Sequence, residues 1–245
     1  MTISLNYNNI STQINWGAST GNIIANIDKW PTVSDNIRGY YQVKKTRASI
    51  KVRAISKPLY FLKIALLVES PHKDEFDEIF NPISPLNGNS GKKFAKGIIA
   101  RLGQWFNNAN INTGVYNFEI KIINPIQYQT SLYHFLNDKI EYNTYGNFGY
   151  NAIDHALRND VWRFLFERCN LKSNFIDRVK DYSPNYIINC CTGTSCYNHF
   201  NANKQIRKMR SGTKNLKALT RESLRSCNLI SNVTYLESCH PISWV

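Results

Sequence analysis

The stretch from Tyr60 to Val68 is apolar at nearly every position, Lys63 being the exception, and it breaks off abruptly at Glu69-Ser70-Pro71-His72. A run without polar alternation reads as a strand covered on both faces, which belongs in a parallel sheet flanked by helices. In open sheets of that kind, ligands gather outside the carboxyl ends of the strands. Glu69 therefore stands where chemistry is expected.

Three more strands follow from the same reading. Phe118, Ile120 and Ile122 alternate before giving way to Asn124-Pro125, Tyr186 to Cys191 is a short apolar run after Ser183-Pro184, and Val233 to Leu236 precedes a polar C-terminus. Between them, Phe94, Ile98, Leu102, Trp105 and Phe106 recur at helical spacing, as do Leu157, Val161, Phe164 and Leu165. Ser70 is suited to cap another helix, with Pro71 at its first position and Phe76, Ile79 and Phe80 on its apolar side. Strands alternating with helices predict an α/β protein: a three-layer α/β/α sandwich with a central, mostly parallel four-stranded sheet.

A chain of 245 residues, 42% of them apolar, suffices for one substantial core. Residues 60–245 are assigned to that α/β domain, and residues 1–59 to an N-terminal accessory segment packing on it. Residues 1–40 are rich in Asn, Ser and Thr. From Val43 to Lys57, apolar residues alternate loosely with Lys44, Lys45, Arg47, Lys51, Arg53 and Lys57. That pattern suits a half-exposed strand, either a solvated edge or a phosphate-contacting one.

Thirty basic residues against seventeen acidic ones give a formal charge of +13, which favours an acidic partner, nucleic acid before an anionic membrane. The densest positive stretch contains Lys204, Arg207, Lys208, Arg210 and Lys214. It is read either as a solvated surface or as a track for a DNA backbone. No signal-peptide pattern opens the chain and no segment has the length of a membrane span, so a cytoplasmic protein without membrane contact is expected. The six cysteines, Cys169, Cys190, Cys191, Cys196, Cys227 and Cys239, form no CxxC pair and no zinc-type spacing. Reduced thiols are expected, with no metal and no cofactor, in a monomer.

Four separated segments resemble, in order, the motifs of the uracil-DNA glycosylase superfamily, over roughly residues 60–245. Val68-Glu69-Ser70-Pro71-His72 is similar to the water-activating motif that reads GQDPYH in one branch and GEAPG in another. Ser84-Pro85-Leu86-Asn87-Gly88-Asn89-Ser90-Gly91 resembles the RPFxGxxG loop that follows it, Tyr116 to Pro125 the base-reading strand, and His240-Pro241-Ile242-Ser243 the final HPSP motif that enters the minor groove. The chain departs from the pattern in three respects. Ser70 stands where one branch has a catalytic Asp, Leu86 replaces a Phe that stacks on uracil, and the iron-sulfur cysteines of the GEAPG branch have no counterpart.

The resemblance implies a DNA N-glycosylase that flips a base from DNA and hydrolyses its glycosidic bond. Such chemistry needs a positioned water, stabilisation of an oxocarbenium-like sugar and help for a departing base. Glu69 is the candidate to activate the water, and His240 to hydrogen-bond the leaving base. The structural alternative for Glu69 is a helix-start carboxylate favoured by the macrodipole. Ser70, Pro71, His72, Leu86, Asn87, Glu119 and Asn124 are the candidate base-pocket residues. Ile242, Ser243 and Trp244 are candidate DNA contacts, with Ile242 or Trp244 filling the gap left in the duplex. A carboxylate at Glu119 would accept from an exocyclic amine, which points to a modified or damaged base such as a modified cytosine. Some bacterial members of the superfamily excise such bases from viral DNA. The alternatives are a conventional repair glycosylase for uracil and a non-catalytic member that binds DNA or protein.

Overall fold

The computed structural model describes residues 2–7, 10–15, 23–25, 32–78, 81–109, 111–128, 130, 162–163, 165–167, 169–192 and 215–244. Near the N-terminus, β1 (Thr2–Tyr7), β2 (Ile10–Asn15) and β3 (Ile23–Ala25) form an antiparallel sheet of their own. A second, mixed sheet of six strands contains β4 (Asn36–Lys45), β5 (Ile50–Ile55), β6 (Leu62–Leu67), β7 (Gly114–Ile123), β8 (Tyr186–Asn189) and β9 (Thr234–Glu237), in the order β5-β4-β7-β6-β8-β9.

The four strands expected from the sequence are the parallel part, β7-β6-β8-β9. The expected four-stranded sheet is corrected to six because β4 pairs antiparallel with β7, and β5 with β4. The loose alternation from Val43 to Lys57 is thus a hairpin. Val43 and Tyr41 face the core, while β5 forms the edge with a partly exposed pattern. The hairpin lies within residues 1–59, and it continues the central sheet through β4.

Two layers of helix explain why β6 is apolar at every position but Lys63. On one face, α1 (Asn89–Asn108) sets Phe94, Ile98 and Leu102 against Ile64, Leu66, Ile120, Ile122 and Ile188. On the other, α2 (Leu171–Tyr182) and α3 (Leu216–Ser226) bring Phe175, Val179 and Leu224 against Ala65, Leu67 and Ile187. Successive β6 side chains point to opposite faces, and Ile64 through Leu67 are completely buried. A polar residue at any of these positions would be left without water on either side.

The helix expected after Ser70 does not form among the described residues, and Ile79 and Phe80 lie outside them. Up to residue 78 the chain makes a 3-10 turn, Lys73–Glu75, and Phe76 bridges to Pro82. Ser70 does not cap; its hydroxyl pairs with that of Thr130 at 2.7 Å. The prolines at 82 and 85 bar a helix from running on through this stretch. The positive stretch bearing Lys204, Arg207, Lys208, Arg210 and Lys214 lies outside the described residues, as do Cys196 and much of the helix expected from residue 151.

Candidate active site

The parallel register puts four strand ends in one row. Leu67 pairs with Ile123 and with Asn189, and Asn189 with Glu237. The segments leaving these ends remain laced together: Val68 N donates to Ile123 O, Ile126 N to Glu69 O, Cys190 N to Leu67 O and Ser238 N to Asn189 O. The motifs after β6, β7 and β9, distant in sequence, therefore share one rim with the N-terminus of α1. At this rim lies a cleft of about 340 Å³, within the size range of small-ligand sites. Glu69, His72, Leu86 and His240 line it, and Ser70, Pro71 and Ile242 extend its wall.

Glu69 is 3% exposed, and its Oε1 accepts the Thr192 amide hydrogen at 2.9 Å. Its backbone carbonyl takes the indole N–H of Trp162 at 3.0 Å as well as Ile126 N–H. These contacts hold both the main chain and one carboxylate oxygen of Glu69 in place. The geometry corrects the helix-start alternative, since no α-helix begins at Glu69. Cys191 lies close by and donates its thiol to Val68 O. Burial and the Glu69 charge push that thiol well above its usual range, so it stays protonated and unreactive.

His240 precedes a 3-10 turn, Pro241–Ser243, and its Nδ1 accepts the Ile242 amide hydrogen at 3.3 Å. A neutral imidazole accepting at Nδ1 carries its proton on Nε2. The ring is thereby set up as an Nε2–H donor. Its loop is anchored by Trp244, which is 1% exposed, stacks on Phe94 at 5.6 Å and meets Trp105 edge-on at 5.5 Å. Trp244 Nε1 donates to Cys239 O at 3.0 Å. A core residue of this kind cannot enter DNA, so the expectation that Trp244 fills the duplex gap is corrected. Ile242 and Ser243 are exposed on the same loop.

The turn that leads into α1 is shaped by close approach to the first turn of the helix. A Cβ on Gly91 would fall on the Leu86 carbonyl, so only glycine fits there. Leu86 itself has φ 55° and is buried, a left-handed conformation that costs a non-glycine residue about 1 kcal/mol. Two partners hold it: the Leu86 amide donates to Glu75 Oε1 at 2.9 Å, and Arg38 Nη2 donates to its carbonyl at 3.4 Å. Asn87 turns outward and donates to Asp74 O, so it is not part of the cleft lining. His72 is exposed at the cleft mouth, where its Nδ1 accepts the Asp74 amide hydrogen at 3.4 Å.

Asn124 and Glu119, both on or just beyond β7, separate sharply. Asn124 is 1% exposed at the strand end, and neither its carboxamide oxygen nor its nitrogen has a hydrogen-bond partner among the described residues. An amide buried in that state costs folding free energy unless a ligand or water completes it. Its backbone carbonyl is clamped by Arg178 Nη2 at 2.9 Å, and the same guanidinium forms an ion pair with Asp35. Glu119 instead pairs in register with Lys63, four residues short of the strand end, about 13 Å away along β7. It is buried among Tyr40 and Tyr182 and, like Asn124, is not among the residues that line the cleft. Burial and the Glu119 charge push the Tyr182 phenol well up. Its candidacy as a base reader is withdrawn, and with it the reason for preferring cytosine.

Comparison with family models, curated proteins and solved structures returns no match. The site thus rests on its own geometry. Two supporting residues escaped sequence reasoning. Thr192 acts through its backbone, which no side-chain pattern reveals. Glu75 lines the cleft six residues after Glu69 and resembles an ordinary acid in a turn. No helix among the described residues is long and apolar enough to cross a membrane.

Proposed function

We propose that this chain is a DNA glycosylase that hydrolyses the N-glycosidic bond of a flipped, modified or damaged base and leaves an abasic site. The observation that carries the reading is the buried Glu69 carboxylate at the end of β6, fixed by Thr192 N–H and sharing one cleft with His240. A carboxylate so held is suited to orient and deprotonate a water and to face a developing positive charge on the sugar. His240, as an Nε2–H donor, is suited to hydrogen-bond the base as it departs with negative charge.

The resemblance to the uracil-DNA glycosylase superfamily supports the same roles for Glu69 and His240. Leu86 gives this cleft an aliphatic wall where the family pattern has an aromatic one, and aliphatic walls stack less tightly on a flat ring. That change favours a base bulkier or less planar than uracil. The net charge of +13 suits a DNA partner.

The test is incubation of the purified chain with duplex and single-stranded oligonucleotides carrying uracil, cytosine or modified cytosines, scored for alkali-labile abasic sites. Strand scission at one of the non-standard bases is expected. Absence of abasic sites across the whole panel, with DNA binding retained, would replace this reading by a non-catalytic DNA-binding protein.

A further inference from the structure

Glu75 is a second carboxyl group in the cleft, and nothing in the proposed mechanism uses it. It is 3% exposed and lines the same cavity as Glu69 and His240. Its two oxygens are not equivalent. Oε1 accepts the Leu86 amide hydrogen at 2.9 Å, whereas Oε2 is buried and has no hydrogen-bond partner among the described residues. A bare, buried carboxylate oxygen is costly; the same oxygen carrying a proton is a directed donor waiting for an acceptor.

We propose that Glu75 is a ligand-recognising hydrogen-bond donor of this cleft: Oε1 holds the Leu86 backbone while a protonated Oε2 meets an acceptor atom, a carbonyl oxygen or a ring nitrogen, of the bound base. The identity of the ligand as a base rests on the glycosylase reading; the donor role does not. The charged surroundings agree. Burial pushes the Glu75 carboxyl up to about 7, against opposing contributions from the Leu86 and His72 amides and from Arg38, with the Asp74 charge adding to the rise. Glu69 and the imidazoles of His72 and His240 also border the cavity, so any pH response must be assigned by substitution.

Selection follows from this arrangement. With a protonated Glu75 offering only a donor, the cleft favours bases with an acceptor on the edge facing Glu75. An amine placed there would meet a second donor and be rejected.

The deciding experiment measures binding of free uracil and free cytosine to the whole chain by calorimetry at about pH 6 and about pH 8, for the native protein, Glu75→Gln and Glu75→Ala. Gln keeps an acceptor for the Leu86 amide and supplies an N–H at every pH. For at least one base, native affinity should fall roughly tenfold across that range as the proton is lost, Glu75→Gln should stay flat, and Glu75→Ala should bind weakly at both values. The proposal is overturned if Glu75→Gln follows the native pH curve, or if neither base binds the folded native protein at about pH 6. A Glu75-dependent pH curve in a protein that makes no abasic sites would instead retire the glycosylase reading and leave the donor assignment standing.

Discussion

Arg178 and Asp35 form an ion pair at 2.7 Å, and the same guanidinium reaches past it to the carbonyls of Asn124 and Pro125 at 2.9 and 3.3 Å. Asp35 is almost wholly buried, and Gln127 also donates to it at 3.3 Å. An α2 side chain is thereby tied to the loop that presents the orphaned Asn124 amide. Replacing Arg178 with Met should lower stability by about 3 kcal/mol, because it leaves a buried carboxylate uncompensated. Urea denaturation reads that loss. Arg178→Met/Asp35→Asn should recover part of it, and full additivity of the two single effects would show that the pair is not coupled.

Glu69→Gln should leave folding intact, since Gln Oε1 still accepts the Thr192 amide hydrogen. It removes the negative charge and the base. A fall of about a hundredfold or more in abasic-site formation is expected under single-turnover conditions, with thermal unfolding little changed. An active Glu69→Gln protein would remove Glu69 from the chemistry.

Glu75 makes stability depend on pH with a definite sign. Its folded-state pKa, about 7 against an ordinary value of 4.5, means that the native state binds more protons than the unfolded one between those values. Stability therefore falls as pH rises from about 4.5 to about 7 and then levels off. Glu75→Gln abolishes this component and should be the more stable protein at about pH 8, by roughly 3 kcal/mol at most. Urea titrations of the two proteins at about pH 5 and about pH 8 test it; parallel curves would refute a raised Glu75.

Trp244→Ala should cost about 3–5 kcal/mol, as expected for a large aromatic removed from a packed core. Gly97 makes room for it, since a Cβ there would come within 2.9 Å of Trp244 Cβ. The substitution should also loosen the loop carrying His240, so abasic-site formation should fall further than stability loss explains at temperatures where the variant is fully folded. Equal residual activity per folded molecule would show that Trp244 is a core residue without influence on His240.

Local chemistry made much of this protein legible. The apolar run to Val68, broken only by Lys63, announced a strand buried on both faces, and the spacing from Phe94 to Phe106 announced α1. These signals depend on neighbours within a few residues. Parallel pairing then makes the position of a polar residue after each strand informative, which is why Glu69, Asn124 and His240 could be singled out at all.

What only the tertiary structure decided was the partner of each side chain. Glu119 and Asn124 are five residues apart on one segment, yet the register of β7 against β6 leaves one carboxylate in the middle of the sheet and sets one amide at its end. Trp244 resembled an exposed terminal aromatic until α1 was seen to cover it. Glu75 gained its meaning from the Leu86 amide and a cavity wall assembled by three distant segments. Period and turn chemistry are properties of short stretches of chain, whereas burial and charge environment come from residues that meet only when the sheet closes, and no local pattern encodes that meeting.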